Sequence, residues 1–217
     1  KNVQKTITLR YKLLPYLYNN FYWHYAEGKS IISSLSERFD NFEYLNNYEQ
    51  FMFGPSLMVL PQLWRSDYQF PVGLPNEPGV WYDLQTGFRV VTSDVNEKIK
   101  IQPLIDEINV LLHAGGMVMT QGWDERPDEN FKNTENSRNK PFTLITALRS
   151  NETEKIDPQG SYRFYWDDGE TVTKANTFIQ RFILHEHAIE SVVEQQLPDS
   201  SDFNIPKLEK IVVYGQM

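Results

Sequence analysis

The densest group of residues able to do chemistry is Asp167-Asp168-Gly169-Glu170. Adjacent carboxyls could divide the work of a general acid and a general base. Asp-Gly fragments also occur in calcium loops, but such a loop needs amide-rich ligands and a bidentate Glu about six residues after its Gly, and neither is present. Asp-Gly directly after a strand pattern is equally the chemistry of a hairpin turn, and that is the plainer reading. His185-Glu186-His187 falls in a run from Phe182 to Ile189 that reads as a strand. Alternation would place both imidazoles on one face, close enough to share a metal ion. A third ligand is not evident, since His24 and His113 are distant in sequence, so an ordinary His pair is the plainer reading. His113 stands beside Gly115-Gly116 without a G-x-S-x-G nucleophile motif, and the chain has 0 Cys. There is no G-x-G-x-x-G and no P-loop. Spacing alone therefore assembles no catalytic residues, no metal site and no cofactor site. Asn151-Glu152-Thr153 supplies one candidate N-glycosylation acceptor, Asn151.

The elements around these residues follow from periodicity. Ile7, Leu9, Leu13, Leu14, Leu17, Tyr18, Phe21 and Tyr22 recur at the spacing of one helical face. Pro15 inside this pattern predicts a kink or the start of a second half. Gly28 predicts the stop, and Ile31-Ile32 the start of an extended piece. From about Phe51 short apolar runs alternate with Pro-, Gly- and Asn-rich turns: Phe51-Met52-Phe53, Leu57 to Leu60, Gln69-Phe70-Pro71, Val80-Trp81-Tyr82, Arg89-Val90-Val91, Ile99-Lys100-Ile101 and Ile108 to Leu112. Leu74 to Gly79 reads as a loop, and Gly115-Gly116 as a turn into Met117-Val118-Met119. Gly122 to Lys140 is polar and reads as a long loop or linker. Strand patterning resumes at Phe142 to Leu148, Ser161 to Trp166 and Phe178 to Ile189, and closes at Ile211 to Tyr214. The expected fold is mainly β: a helix followed by two consecutive antiparallel β-sandwich units, with segments 1–36, 37–122, 123–140 as the linker and 141–217.

Composition removes several function classes. Among 217 residues, 21 Lys and Arg are scattered among 29 Asp and Glu, for a net charge of −8. No basic stripe is present, which argues against a nucleic-acid partner. No apolar run reaches the roughly 18 residues of a membrane span. The aromatic content of 14% suits sandwich cores, and also surfaces that stack against sugar rings. The chain opens on Lys1 within a helical pattern, without initiator Met or signal peptide, so its N-terminus is expected to be a cut.

Short turn motifs occur in a fixed order: Leu9-Arg10-Tyr11-Lys12-Leu13-Leu14-Pro15-Tyr16-Leu17-Tyr18, Gln50-Phe51-Met52-Phe53-Gly54-Pro55, Trp81-Tyr82-Asp83 with Thr86-Gly87, Ser137-Arg138 through Phe142, and Phe164 to Glu170. Together they resemble the C-terminal part of family 31 glycoside hydrolases, the α-glucosidase and maltase family, over about Ile7 to Tyr214. The resemblance implies that 1–36 ends a catalytic (β/α)8 barrel, that 37–122 is the proximal C-terminal sandwich, and that 141–217 is an incomplete distal sandwich. It implies a retaining hydrolase that releases glucose from α-linked glucosides or oligosaccharides, with an Asp nucleophile and an Asp acid upstream of this chain. No catalytic residue is carried over, substrate-binding residues stay unknown, and the rest of the barrel is the implied partner. A secretory-pathway location follows from the same likeness: lysosome, endoplasmic reticulum or the exterior.

Departures accompany the likeness. Ser33-Ser34-Leu35 stands where the family carries Arg-Pro-Leu, His113 occupies the place of an Arg, and Met119-Thr120 replaces an apolar-Pro pair. A His cannot replace the planar donors of an Arg. The alternative reading is thus a catalytically inactive relative serving as a structural or interaction protein. A free-standing carbohydrate-binding sandwich is a third, supported only by aromatic content. Residues 1–217 alone are expected to be poorly soluble, because Leu13, Leu17 and Phe21 would expose an apolar helix face. Trp81 is expected in a sandwich core.

Overall fold

In the computed structural model, residues 2–40, 44–61, 71–75, 80–90, 99–100, 108–122, 134–149, 157–170, 176–198 and 203–215 are described. The N-terminal pattern forms two helices, α1 (Asn2–Lys12) and α2 (Leu14–Glu27). Leu13 breaks them, and Pro15 sits in the first turn of α2, where its missing N–H costs nothing. Along α2, Tyr16, Asn19, Asn20 and Trp23 form the buried stripe. Gly28, at φ 72°, ends the helix by returning its N–H to the His24 carbonyl.

β1 (Ile32–Ser33) follows, then α3 (Leu35–Phe39), β2 (Phe51–Phe53), β3 (Leu57–Leu60), β4 (Pro71–Val72), β5 (Trp81–Asp83), β6 (Arg89–Val90), β7 (Ile99–Lys100) and β8 (Asn109–His113). A six-stranded sheet runs β1-β2-β3-β8-β5-β6, antiparallel throughout, while β4 and β7 pair separately. The period of two sorts its side chains between two cores. Met58, Trp81 and Leu111 join Leu35, Met52 and Leu74 on one face, whereas Leu57, Tyr82, Val110 and Leu112 point into the larger core on the other.

The remaining elements are β9 (Met117–Gln121), α4 (Thr134–Arg138), β10 (Phe142–Ala147), β11 (Gly160–Asp167), β12 (Thr177–Leu184), β13 (Ile189–Gln195) and β14 (Leu208–Tyr214). Two three-stranded sheets, β14-β10-β9 and β11-β12-β13, share the larger core through Leu144, Phe142, Phe164, Trp166, Phe182 and Leu184. α2 packs against β9 and β11.

The mainly β, largely antiparallel architecture agrees with expectation, with specific corrections. β10 and β14 pair in parallel. The chain leaves β10, builds the β11–β13 sheet and returns in the same direction, the long crossover that parallel pairing requires. β9 precedes the sequence boundary at 122 yet pairs with β10 beyond it, Leu144 opposite Met119. Of the expected linker 123–140, residues 134–138 form α4, while 123–133 lie outside the described residues. The strand expected through Ile189 stops at Leu184. His185 to Ala188 form a turn closed by the His185 N–H on the Ala188 carbonyl, and β13 starts after it.

Candidate functional site

Asp167, at the end of β11, is nearly buried and fully occupied as an acceptor. The Tyr18 hydroxyl lies 2.9 Å from both of its oxygens, the Tyr165 hydroxyl is at 2.6 Å and the Gly169 N–H at 2.9 Å. The Arg138 guanidinium, from α4, donates to the Asp167 carbonyl at 2.5 Å and stands 4.6 Å over the Trp166 ring. Burial, then the Asp167 carboxylate, pushes the Tyr18 phenol up to about 12 and raises Tyr165 in the same way. A carboxylate so committed ties α2, α4 and β11 together. It is not poised to exchange protons with a substrate. Asp168 instead accepts from the Glu170 N–H and from Asn176. β11 ends at Asp167 and β12 begins at Thr177, so the Asp-Gly pair does not close a two-residue hairpin.

The histidines do not converge. His185 sits at the β12–β13 turn, its Nδ1 2.7 Å from Asp157 and its Nε2 3.5 Å from Glu190, while His187 projects into solvent. The shared strand face expected for them is absent because the run is a turn. Hydrogen bonding to Asp157, with help from Glu190, raises the His185 pKa above its ordinary value. A raised folded-state pKa means that the stabilising pairing is fully present below about pH 6.5 and is lost as pH rises through the folded value. An NMR titration should show the His185 pKa falling back towards its ordinary value in Asp157→Asn.

His113 lies between two backbones, its Nε2 2.8 Å from the Pro55 carbonyl and its Nδ1 2.8 Å from that of Ala114, and the neutral ring donates its one N–H to one of them. Its ring meets Trp81 edge-on at 5.9 Å. Burial lowers its pKa, the two carbonyl contacts oppose that, and Arg38 and Arg149 push it further down. It acts as a strut between the Gly54-Pro55 loop and the glycine turn. Ser34 caps α3, accepting the Glu37 N–H at 3.1 Å, and Ser33 pairs with Met52 in β1. Asn151 lies outside the described residues. Among the described residues, no group of three or more His, Asp or Glu is gathered to hold a metal.

The site that emerges is the seat of α2. Tyr16 is fully buried, its hydroxyl donating to the Phe53 carbonyl at 3.0 Å and accepting from the Ser56 N–H at 3.0 Å. Burial pushes this phenol up to about 12. Asn20 bonds back to the Tyr16 carbonyl, and Gly54 presses its Cα against both side chains. Asn19 accepts from Trp23 Nε1 at 3.0 Å and from the Tyr165 N–H at 2.8 Å, locking the helix to β11. Arg163 lies 4.0 Å over Trp23 and pairs with Glu27 and Glu194. Tyr16→Phe should cost about 1–3 kcal/mol in chemical denaturation, since it orphans a buried N–H and takes the donor from a half-buried carbonyl. Sequence reasoning does not single out Asn19 and Asn20; the available signal is a pair of amides interrupting the apolar face of a helix.

On one side of α2 a cleft of about 440 Å³ opens towards β1, α3 and β11. On the other, Leu14, Leu17, Tyr18, Phe21 and Trp166 line a smaller apolar groove. Leu13 is buried in the larger core, so only part of the expected apolar stripe stays outward.

Comparison with known proteins places this arrangement. Residues 28–118 match the Glycosyl hydrolase family 31 C-terminal domain. The chain is 30% identical to probable maltase-glucoamylase 2 of Homo sapiens, over 93% of this chain and 8% of that protein. It is 29% identical to lysosomal alpha-glucosidase of Rattus norvegicus, over 78% of this chain and 18% of the relative. Among solved structures, a glucosidase II alpha subunit superposes with a TM-score of 0.77 at 21% identity, over 94% of this chain and 22% of that one. At that identity the superposition speaks for fold alone. The chain thus spans less than a quarter of the length of each of these proteins.

Proposed function

We propose, from the premise that this chain belongs to the C-terminal portion of glycoside hydrolase family 31, that it is the scaffold of a retaining α-glucosidase-type enzyme. In this reading the catalytic Asp pair lies on a barrel upstream, and glucose is released from α-linked glucosides. The observation that carries it is the conjunction of the family match over residues 28–118 with a helix seated on β9 and β11 whose outward side, at Leu17 and Phe21, is still apolar. Retaining chemistry needs two carboxyl groups roughly 5–5.5 Å apart, one attacking carbon and one protonating the leaving oxygen. Asp167 is unsuited to either role because tyrosine hydroxyls and a backbone N–H already occupy its oxygens. What these residues contribute is rigidity. Catalytic groups must be held to within about 0.5 Å, and that demands a supporting shell with locked side chains. Tyr16, Asn19 and the Tyr18–Asp167 contact supply such locks, so a barrel ending in α2 would inherit a fixed final turn.

A second reading, a non-catalytic relative with a structural or binding role, is favoured by Ser33-Ser34 and His113. Ser34, where the family carries Pro, caps α3, and His113, where it carries Arg, stands between two backbone carbonyls. A secretory-pathway location is proposed from the relatives described as lysosomal and intestinal. Assay of the native polypeptide on an aryl α-glucoside, followed by a covalent glycosidase inactivator and peptide mapping, decides between the readings. Hydrolysis with the label on an Asp outside residues 1–217 is the expected result. A barrel that lacks the acidic pair and does not turn over would establish the non-catalytic reading.

A further inference from the structure

We propose that the β12–β13 turn is a proton-operated latch on the seam where β11 meets the Gly115-Gly116 turn, closed when His185 carries a charge and loosened when it does not. Three separate segments build the latch. Asp157 stands just before β11, His185 in the turn after β12, and Glu190 on β13. His185 lies between the two carboxylates, its Nδ1 2.7 Å from Asp157 and its Nε2 3.5 Å from Glu190. With both nitrogens facing carboxylates, only the imidazolium can donate to both, because the neutral ring has a single N–H. The turn's other ionisable groups, Glu186 and His187, face each other at 3.9 Å.

What the latch holds is the seat of β11. Leu184, next to His185, accepts the Gln159 N–H at 2.7 Å and pairs with Gly160 at the first rung of the β11–β12 ladder. Gln159 is buried, and its Oε1 takes the Arg149 N–H at 2.8 Å, which ties down the chain leaving β10. Gly160 lies so close to Gly115 that a methyl on it would overlap the Gly115 carbonyl. Asp157 and His185 therefore flank the point where β11 meets the turn between β8 and β9. Loss of the charge on His185 removes the outermost tie and lets this end of the ladder fray. Hydrogen bonding to Asp157 favours the charged ring, so the latch is shut below about pH 6.5 and opens as pH rises through the folded value. Pairs this near the surface are weak, so local opening changes by about two- to fivefold rather than all or none.

The inference does not rest on the glycosidase reading, since its test follows local opening rather than turnover. Backbone hydrogen exchange of the native protein is followed by mass spectrometry at pH 6 and pH 8.5, corrected for the intrinsic pH dependence of exchange. Peptides covering Gln159 and His185 should lose about two- to fivefold in protection at the higher pH, relative to peptides covering β3. His185→Gln, which cannot take a proton, should show the pH 8.5 level at both values. His185→Arg, which stays charged, should hold the pH 6 level at both. If one variant fails to fold, the other decides. A wild-type protein without the difference, or a folded variant that keeps it, would overturn the proposal.

Discussion

Trp81→Ala should destabilise the protein by about 3–5 kcal/mol, the largest loss expected from any single truncation here. The ring is 1% exposed and sits among Leu35, Met52, Met58, Leu60, Leu74 and Leu111, with Phe39 edge-on at 6.3 Å. Its Nε1 donates to the Pro75 carbonyl at 3.2 Å, so truncation removes a hydrogen bond as well as volume. The ring also flanks His113, and its loss would free the strut that ties the Gly54-Pro55 loop to the glycine turn. In a thermal melt the expected change is a fall of roughly 6–20 °C. Trp81→Phe keeps most of the volume and should cost clearly less. A shift near zero for the alanine variant would show that the ring does not hold this core.

Gly54→Ala should cost about 2–5 kcal/mol, an unusual penalty for adding one methyl. Gly54 has φ 59°, a region that costs an L-residue roughly 1–2 kcal/mol. The added Cβ would lie 2.5 Å from Asn20 Nδ2 and from the Tyr16 hydroxyl, and 2.7 Å from Asn20 Oδ1. Relieving that overlap moves the two side chains that seat α2, and overpacking of this kind costs about 1–3 kcal/mol more. The two causes can be separated by a double-mutant cycle. Asn20→Ala in the Gly54→Ala background should recover the Asn20 share of the steric part and leave the Tyr16 contact and the backbone part. Simple additivity of the two changes would contradict this account and place the cost in the dihedral and the Tyr16 contact.

Much of the fold is legible in the amino-acid pattern, and the omissions have physical causes. α1 and α2 announce themselves through a sustained helical period, and Pro15 marks their division. β10 is legible because Phe-Thr-Leu-Ile-Thr-Ala is buried on both sides. β13 is not, because Ile-Glu-Ser-Val-Val-Glu-Gln lies at a sheet edge, exposed along most of its length, and so shows no alternation. α3 is five residues long, too short for a period, although Ser34 followed by Glu37 carries a capping signal. The β9–β10 pairing spans an unpatterned polar stretch, and nothing local encodes such a partnership. The chemistry-bearing residues are visible as types, but their partners are not: Asp167 meets Tyr18 across 149 positions of sequence. The seat of α2 is the least legible part, since Tyr16, Asn20 and Gly54 acquire meaning only when a loop folds back onto a helix.

The Tyr214 hydroxyl at the end of β14 donates to the Leu84 carbonyl, and its ring rests against Gly87 in the turn after β5. These contacts close 130 positions of sequence. On a translating ribosome the β5–β6 turn would therefore emerge roughly 6–26 s before the tyrosine that covers it. During that interval the turn after β5 would lack the ring that covers it. That cover arrives only with β14.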